Sequence, residues 1–271
     1  MIATALSIAG SDPSGGAGIQ ADLKAFSARG VYGMTALTAL TAQNTRGVTA
    51  IEVLTPAFVR AQLDAVFDDV RVDAVKVGMI ANADIARAVA DSLRQHATAI
   101  PVVLDTVMIA KGGAKLLEDE AVGVVRQSLI PLATVITPNL PEAATLLGCA
   151  AATTRAEMAK QAAQLLTLGC PSVLLKGGHL EGSHSPDLLL NDSGAVWFDA
   201  PRIATRNTHG TGCTLSAALA AELAKGAPIS AAVQSAKDYV AGAVKHADAL
   251  RVGSGHGPTH HFHALWSDER R

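Results

Sequence analysis

Residues 207–226 read NTHGTGCTLSAALAAELAKG. A polar turn spaced by glycines runs straight into an alanine-rich stretch that predicts a helix over 212–225. Gly210 and Gly212 permit backbone turns that bulkier residues resist. Such turns aim several successive N–H groups at one point. The helix that follows adds its positive dipole end. Gly210, Thr211, Gly212 and Cys213 together describe an anion hole. An ordinary helix start has little need of two glycines around a threonine.

Outward from this stretch, short apolar runs alternate with helical patterns. Strands are expected at 4–9, 34–42, 49–54, 74–79, 102–107, 134–137, 172–176, 187–190 and 195–198. Many are rich in Val, Ile and Leu on both faces, as strands covered from two sides must be. Ile19, Leu23 and Phe26 share one face of a first helix. Thr55-Pro56 supplies a cap and first residue for a second, to about 68. Helices over 83–96 and 118–129 follow. Thr154-x-x-Glu157 is a capping box for a helix ending near Gly169, and a helix over 230–247 closes the set. Repeated β-then-α order implies a mostly parallel sheet with helices on both faces. The strands between about 34 and 54 suggest a small β flap. With no linker, charge block or repeat, residues 1–271 are expected to form one domain, ending in a C-terminal tail over 252–271.

The bulk numbers exclude whole classes of function. Of 271 residues, 49% are hydrophobic and 17% charged, a globular composition rather than a disordered one. A net charge of -2 and only 3% aromatics give nucleic-acid binding no support. No apolar run reaches membrane-spanning length. MIATALSIAG lacks a basic leader region and reads as a first strand. Cys149, Cys170 and Cys213 form no C-x-x-C pair, and their odd count and scatter fit a reducing cytoplasm.

The unusual polar residues fall at strand ends, where open α/β sheets bind ligands. Residues 10–18 (GSDPSGGAG) follow the first strand, Gln43-Asn44 the second and Gly78-Met79 the next. Asp105 lies in VVLDTV, Asn139 and Glu142 follow VITP, and Lys176 ends SVLLK. Asp105 and Glu142 either cap helices and pair with cations or hold Mg²⁺ through water. Lys176 is harder to assign to packing, because a buried lysine stem is costly unless its ammonium meets an anion. A P-loop signature and a strand-to-helix G-x-G-x-x-G are both missing. His260, His261 and His263 form a tempting cluster. Its spacing lacks a partner carboxylate, so a docked or mobile tail is the favoured account.

Taken together, AGSDPSGGAGIQADLK, TALTAQNT, KVGM, VVLDTVM, ITPNLPEA, LLKGGH, NTHGTGCTLSAA and GPTHHFH span residues 9–263 in order. They resemble the ribokinase-like superfamily, and within it the bacterial hydroxymethylpyrimidine/phosphomethylpyrimidine kinases of thiamine biosynthesis. The resemblance implies a three-layer α/β/α sandwich, usually a homodimer, cytoplasmic, using ATP and Mg²⁺ and with a monovalent cation left open. It implies ATP-dependent phosphorylation of 4-amino-5-hydroxymethyl-2-methylpyrimidine, first to the monophosphate and then to the diphosphate. By matched motif, the amides of Gly210, Thr211, Gly212 and Cys213 take the migrating phosphoryl group. Asn139, Thr208 and Lys176 contact ATP, and Asp105 and Glu142 hold the metal. Gly10, Asp22, Gln43, Met79 and Val107 surround the pyrimidine. A glutamine amide complements the ring-nitrogen and amino edge of an aminopyrimidine, which suits Gln43. Cys213, at a helix N-terminus, is expected to have a lowered thiol pKa and to act as base in the first step. The rivals are a pyridoxal or pyridoxine kinase on the same scaffold and a catalytically silent pyrimidine-binding module.

Overall fold

The structure, a computed structural model, describes residues 1–108 and 118–266. Nine strands form one sheet: β1 (Thr4–Ser11), β2 (Tyr32–Asn44), β3 (Gly47–Val53), β4 (Ala74–Val77), β5 (Val102–Leu104), β6 (Val135–Ile136), β7 (Ser172–Lys176), β8 (Asp187–Asn191) and β9 (Gly194–Phe198). Their order is β3-β2-β1-β4-β5-β6-β7-β8-β9. The run from β2 to β7 is parallel, and β3, β8 and β9 add antiparallel edges. The expected flap is the β2–β3 hairpin, continuous with the main sheet. One β3 residue is bulged opposite the Ala42–Gln43 step, a device that re-aims side chains at strand ends.

Alternation along the strands builds two cores. Leu6 and Ile8, Val102 and Leu104, Ile136, and Val173 and Leu175 face one side. There they meet α2 (Pro56–Asp69), α3 (Ala83–His96), α5 (Leu140–Leu147) and α6 (Arg155–Leu166). A further helix on that side, α4 (Asp119–Val124), widens into a looser turn over Val125–Leu129. Ala5, Val103, Val135, Leu174 and Leu189 face the other side. There they meet α1 (Gly18–Ala28), α7 (Thr211–Ala224) and α8 (Ile229–Lys245). The result is the expected three layers.

Local rules account for the helix starts. Thr55 accepts a bond from Phe58 N with Pro56 at the first position. Thr154 and Glu157 form the expected capping box. Asn139 and Glu142 form another, opening α5, a helix absent from the sequence expectation. The C-terminal tail is docked, as far as it is described: His260 N donates to Ala243 O at 2.9 Å and Tyr239 OH to His261 O at 2.8 Å.

The topology also makes the crevice. From β1 the chain turns to β2 on one side, while β4 lies on the other. Helix α1 covers one face and α2 and α3 the opposite one. A sheet wound in both directions from a central strand leaves a gap beyond its carboxyl ends at that point.

Candidate functional site

A cavity of about 510 Å³ lies at this rim. It is lined from the ends of β1, β2, β4, β5, β6 and β7 and by the first turn of α7. It brings together Gly10, Gln43, Met79, Asp105, Val107, Asn139, Glu142, Lys176, Thr208, Gly210, Thr211, Gly212 and Cys213, residues more than 200 positions apart in the chain.

The turn before α7 has the geometry its sequence asks for. Gly210 sits at φ +76, and a Cβ there would fall 1.7 Å from Gly16 O. A side chain is thus excluded both by the left-handed backbone and by the neighbouring loop. A Cβ on Gly212 would lie 3.4 Å from Lys176 Nζ and 3.8 Å from Asp105 Oδ2. Thr211 N donates to Thr208 O at 3.3 Å, so the first turn of α7 leaves the Gly212 and Cys213 amides without an acceptor in their own helix, and Gly212 lies beside Lys176 and Asp105. Gly18, at φ +57, lets the first loop close against Gly10 O.

At the β5–β7 side, Lys176 Nζ lies 3.1 Å from Asp105 Oδ1 and 4.0 Å from Glu142 Oε2. Asp105 also accepts from Thr137 Oγ1 at 3.2 Å and from Ser216 Oγ at 3.1 Å. Burial raises Asp105, but Lys176 and Lys76 outweigh it and hold the carboxyl below its usual range. Glu142 accepts Asn139 N at 2.8 Å and Thr106 Oγ1 at 3.3 Å, both on Oε2. Burial pushes Glu142 up to about 7; Lys176 opposes this and Asp105 adds to it. Burial lowers Lys176, but its two carboxylates prevail and hold it up at about 12.

Among the described residues no three His, Cys, Asp or Glu side chains gather as for a metal. Two carboxylates sharing one ammonium still fit Mg²⁺, which takes one or two protein carboxylates and completes its shell with phosphate and water.

Two sequence expectations need correction. Asp22 is fully buried and does not line the cavity. It binds Lys76 Nζ at 2.9 Å and accepts Ser7 Oγ at 2.5 Å. Lys76, behind the floor, is the residue of this pair that reaches the cavity. Asp22 is thus the buried counter-ion of Lys76 and not part of the cavity wall. Cys213 also departs from expectation. Burial pushes its thiol up to about 11; Lys76 and the Gly18 amide pull the other way, while Asp22 and Asp105 push further up. Desolvation raises the thiol where a helix N-terminus by itself would lower it.

Sequence reasoning missed Lys76, Asp12 and His209. Lys76 carries the signal used for Lys176, a lysine in an apolar strand. Asp12 gathers Ser14 N at 2.9 Å, Ala17 N at 2.8 Å and His209 Nε2 at 2.8 Å, tying the first loop to the turn before α7. No spacing rule links residues 197 positions apart.

Comparison with known proteins identifies the family. Residues 12–260 match the family model described as phosphomethylpyrimidine kinase. A hydroxymethylpyrimidine/phosphomethylpyrimidine kinase from Escherichia coli K12 is 56% identical over 97% of this chain and 98% of its own length. One of the same name from Rhizobium meliloti is 54% identical over 99% and 100%. Among solved structures, an ADP complex of Bacillus subtilis pyridoxal kinase superposes with a TM-score of 0.90 at 39% identity. That match covers 98% of this chain and 100% of the other.

Proposed function

The chain belongs to the phosphomethylpyrimidine kinase family, and from that premise we propose how its residues divide the work. The activity is phosphorylation of hydroxymethylpyrimidine and then of phosphomethylpyrimidine, in thiamine biosynthesis. ATP is the proposed donor; the ADP complex of a structural relative supports a nucleotide site on this fold.

The observation that carries the assignment is one cavity lined by an anion hole, a lysine and a carboxamide, Gln43. Gln43 is the proposed partner of the aminopyrimidine edge, with Met79 and Val107 against the ring. A Cβ on Gly10 would fall 2.8 Å from Met79 Sδ, so glycine there keeps the floor open. The amides of Gly210 to Cys213, backed by the α7 dipole, hold the migrating phosphoryl oxygens. Lys176 neutralises ATP phosphates, with Asn139 and Thr208 beside it. Asp105 and Glu142 would hold Mg²⁺, which supplies charge neutralisation for phosphate oxygens when bound.

Phosphoryl transfer proceeds through a loose transition state in which the acceptor proton leaves late. A thiolate formed in advance is therefore not required, and Cys213 acts as a neutral wall of the hole. A neutral thiol also repels the anionic acceptor of the second step less than a carboxylate would.

Three unpaired cysteines support a cytoplasmic location. Exposed Leu40, Ile51 and Val53 on the β2–β3 hairpin support a homodimer. The direct test supplies ATP, Mg²⁺ and hydroxymethylpyrimidine and follows ADP with the two phosphorylated products. ADP formed with pyridoxal and not with the pyrimidine would contradict the assignment.

A further inference from the structure

The Gln43 amide lies between two neighbours whose own bonds are fixed. Oε1 stands 3.2 Å from Thr41 Oγ1 and Nε2 stands 3.3 Å from His209 Nε2, and the partners' own bonds favour the two amide atoms exchanged. Thr41 commits its single hydroxyl proton to Ser11 O at 2.8 Å. Its oxygen then has only lone pairs to offer the amide. His209 Nε2 stands 2.8 Å from Asp12 Oδ2. Asp12 already accepts Ser14 N and Ser14 Oγ on Oδ1, and Gly16 N and Ala17 N on Oδ2. A carboxylate surrounded by donors in this way is anionic, so the imidazole nitrogen facing it is an N–H donor. The two neighbours make opposite demands. Thr41, its proton turned to Ser11 O, favours the amide nitrogen; His209 Nε2–H, already donating to Asp12, has no lone pair for an amide N–H and favours the amide oxygen as second acceptor of a shared proton. Such partners are what distinguish the two ends of an amide. His209 is itself locked: it is buried, its N donates to Gly257 O at 3.0 Å, and a Cβ at Gly16 would fall 2.3 Å from its ring.

We propose that Asp12 and His209, with Thr41 opposite, hold Gln43 with Oε1 toward the turn before α7 and Nε2 away from it, and that this fixes which way the pyrimidine lies. The proposal rests on Gln43 being the partner of the aminopyrimidine edge. In the substrate the amino group is on the ring carbon beside the one bearing the hydroxymethyl group, and the accepting ring nitrogen is one atom further off. An amide oxygen on the His209 side takes an amino hydrogen there. The amide N–H on the Thr41 side meets the ring nitrogen. The hydroxymethyl arm then lies on the side of His209 and its neighbour Gly210, where the anion hole opens. An amide turned the other way would pair with the same edge only by reversing the ring, carrying the alcohol away from the hole. Asp12 and His209 are positioning residues in this account; neither touches the reacting atoms.

The test compares the amino substrate with its 4-oxo analogue, a near-isostere that shows ring N–H beside carbonyl, the reversed pattern. kcat/KM for both is read by ADP release. The wild-type enzyme should prefer the amino compound. His209→Ala frees the amide to turn, and the preference should fall about tenfold or more, through the KM of the pyrimidines with the KM of ATP unchanged. Thr41→Val should move the preference in the same direction. A purely structural role would depress both compounds together and leave their ratio alone. Gln43→Ala should erase the preference. If it does so while His209→Ala and Thr41→Val retain the wild-type ratio, the proposal is wrong and the assignment of Gln43 stands. If Gln43→Ala retains the ratio, the assignment of Gln43 fails and the proposal falls with it. Should His209→Ala not accumulate as folded protein, Thr41→Val decides by the same criterion.

Discussion

Lys76 and Lys176 each sit in a strand that ends at the rim of the same sheet, and each meets an aspartate at about 3 Å: 2.9 Å to Asp22 and 3.1 Å to Asp105. What surrounds the two pairs differs. Both members of the Lys76–Asp22 pair have fully buried side chains, with one charge against one. Lys176 is 14% exposed and faces two carboxylates, Asp105 and Glu142. The first pair is matched one to one and shut off from solvent, with only Lys76 reaching the cavity floor. The second is unbalanced, opens onto the cavity, and borders the amides of residues 210–213. Charge imbalance at an open face marks a ligand site; a matched pair under the floor marks support. The same residue types therefore have opposite vulnerabilities.

The sharpest way to break that contrast is to remove each lysine. Lys76→Met leaves Asp22 as an unpaired carboxylate at a fully buried position. Loss of one partner from such a pair costs about 3–5 kcal/mol. Urea denaturation should show that loss, and Lys76→Met/Asp22→Leu should recover most of it. A single variant within about 1 kcal/mol of wild type would mean the pair does not support the floor. Lys176→Met should behave in reverse, with a smaller stability loss and a fall in kcat/KM of about 10²–10³-fold. Equal damage to stability from both variants would erase the distinction.

A pH series sharpens it further. Glu142 goes from 4.5 in a solvated chain to about 7 in the fold. Between those values the folded protein keeps a proton that the unfolded chain has lost. Its contribution to stability is therefore complete below 4.5, declines as pH rises to about 7, and is flat above. His261 works in the opposite sense, since burial, Lys24 and nearby histidines push it from 6.5 down to about 3. Between about 3 and 6.5 the unfolded chain holds a proton that the folded one refuses, so stability there rises with pH. The Glu142 effect is read as the difference between wild type and Glu142→Gln in ligand-free protein, and should amount to at most about 3 kcal/mol. A difference independent of pH would show that Glu142 is not held protonated.

Cys213 should give the smallest effect. With its thiol at about 11, alkylation by iodoacetamide in a Cys149→Ser background should be slow at neutral pH and still climbing at pH 9. A plateau by pH 8 would restore the thiolate. Cys213→Ala should cost about tenfold in each phosphorylation, since the amide it contributes remains. A loss confined to the first step would instead identify the thiol as its base.

These contrasts show what the chain made legible. Short apolar runs between turn residues located all nine strands, and those at the centre, such as AVKV and VVL, are buried on both faces and read as continuous runs. Lys176 was legible because a lysine ending an apolar strand needs an anion. Lys76 sends the same signal from inside AVKV, and burial depth alone separates the two roles. The helix over Leu140–Leu147 was hidden by its own start: NLPE reads as a polar strand end, yet Asn139 and Glu142 close a capping box there. The thiol of Cys213 was misjudged because a helix-end rule says nothing about desolvation, which depends on what α1 and β4 pack around it. The Asp12–His209 contact joins opposite ends of the chain, and only the folded topology brings them together.

The central claim is that the amides of residues 210–213 receive the migrating phosphoryl group, with Lys176 at its side and Gln43 on the acceptor. A crystal structure with a non-hydrolysable ATP analogue, Mg²⁺ and hydroxymethylpyrimidine tests it most directly. The account predicts the terminal phosphorus at the first turn of α7, facing the pyrimidine alcohol, with the amino group on the His209 side of Gln43. A terminal phosphate lodged away from that turn, or a pyrimidine bound out of reach of Gln43, would contradict it.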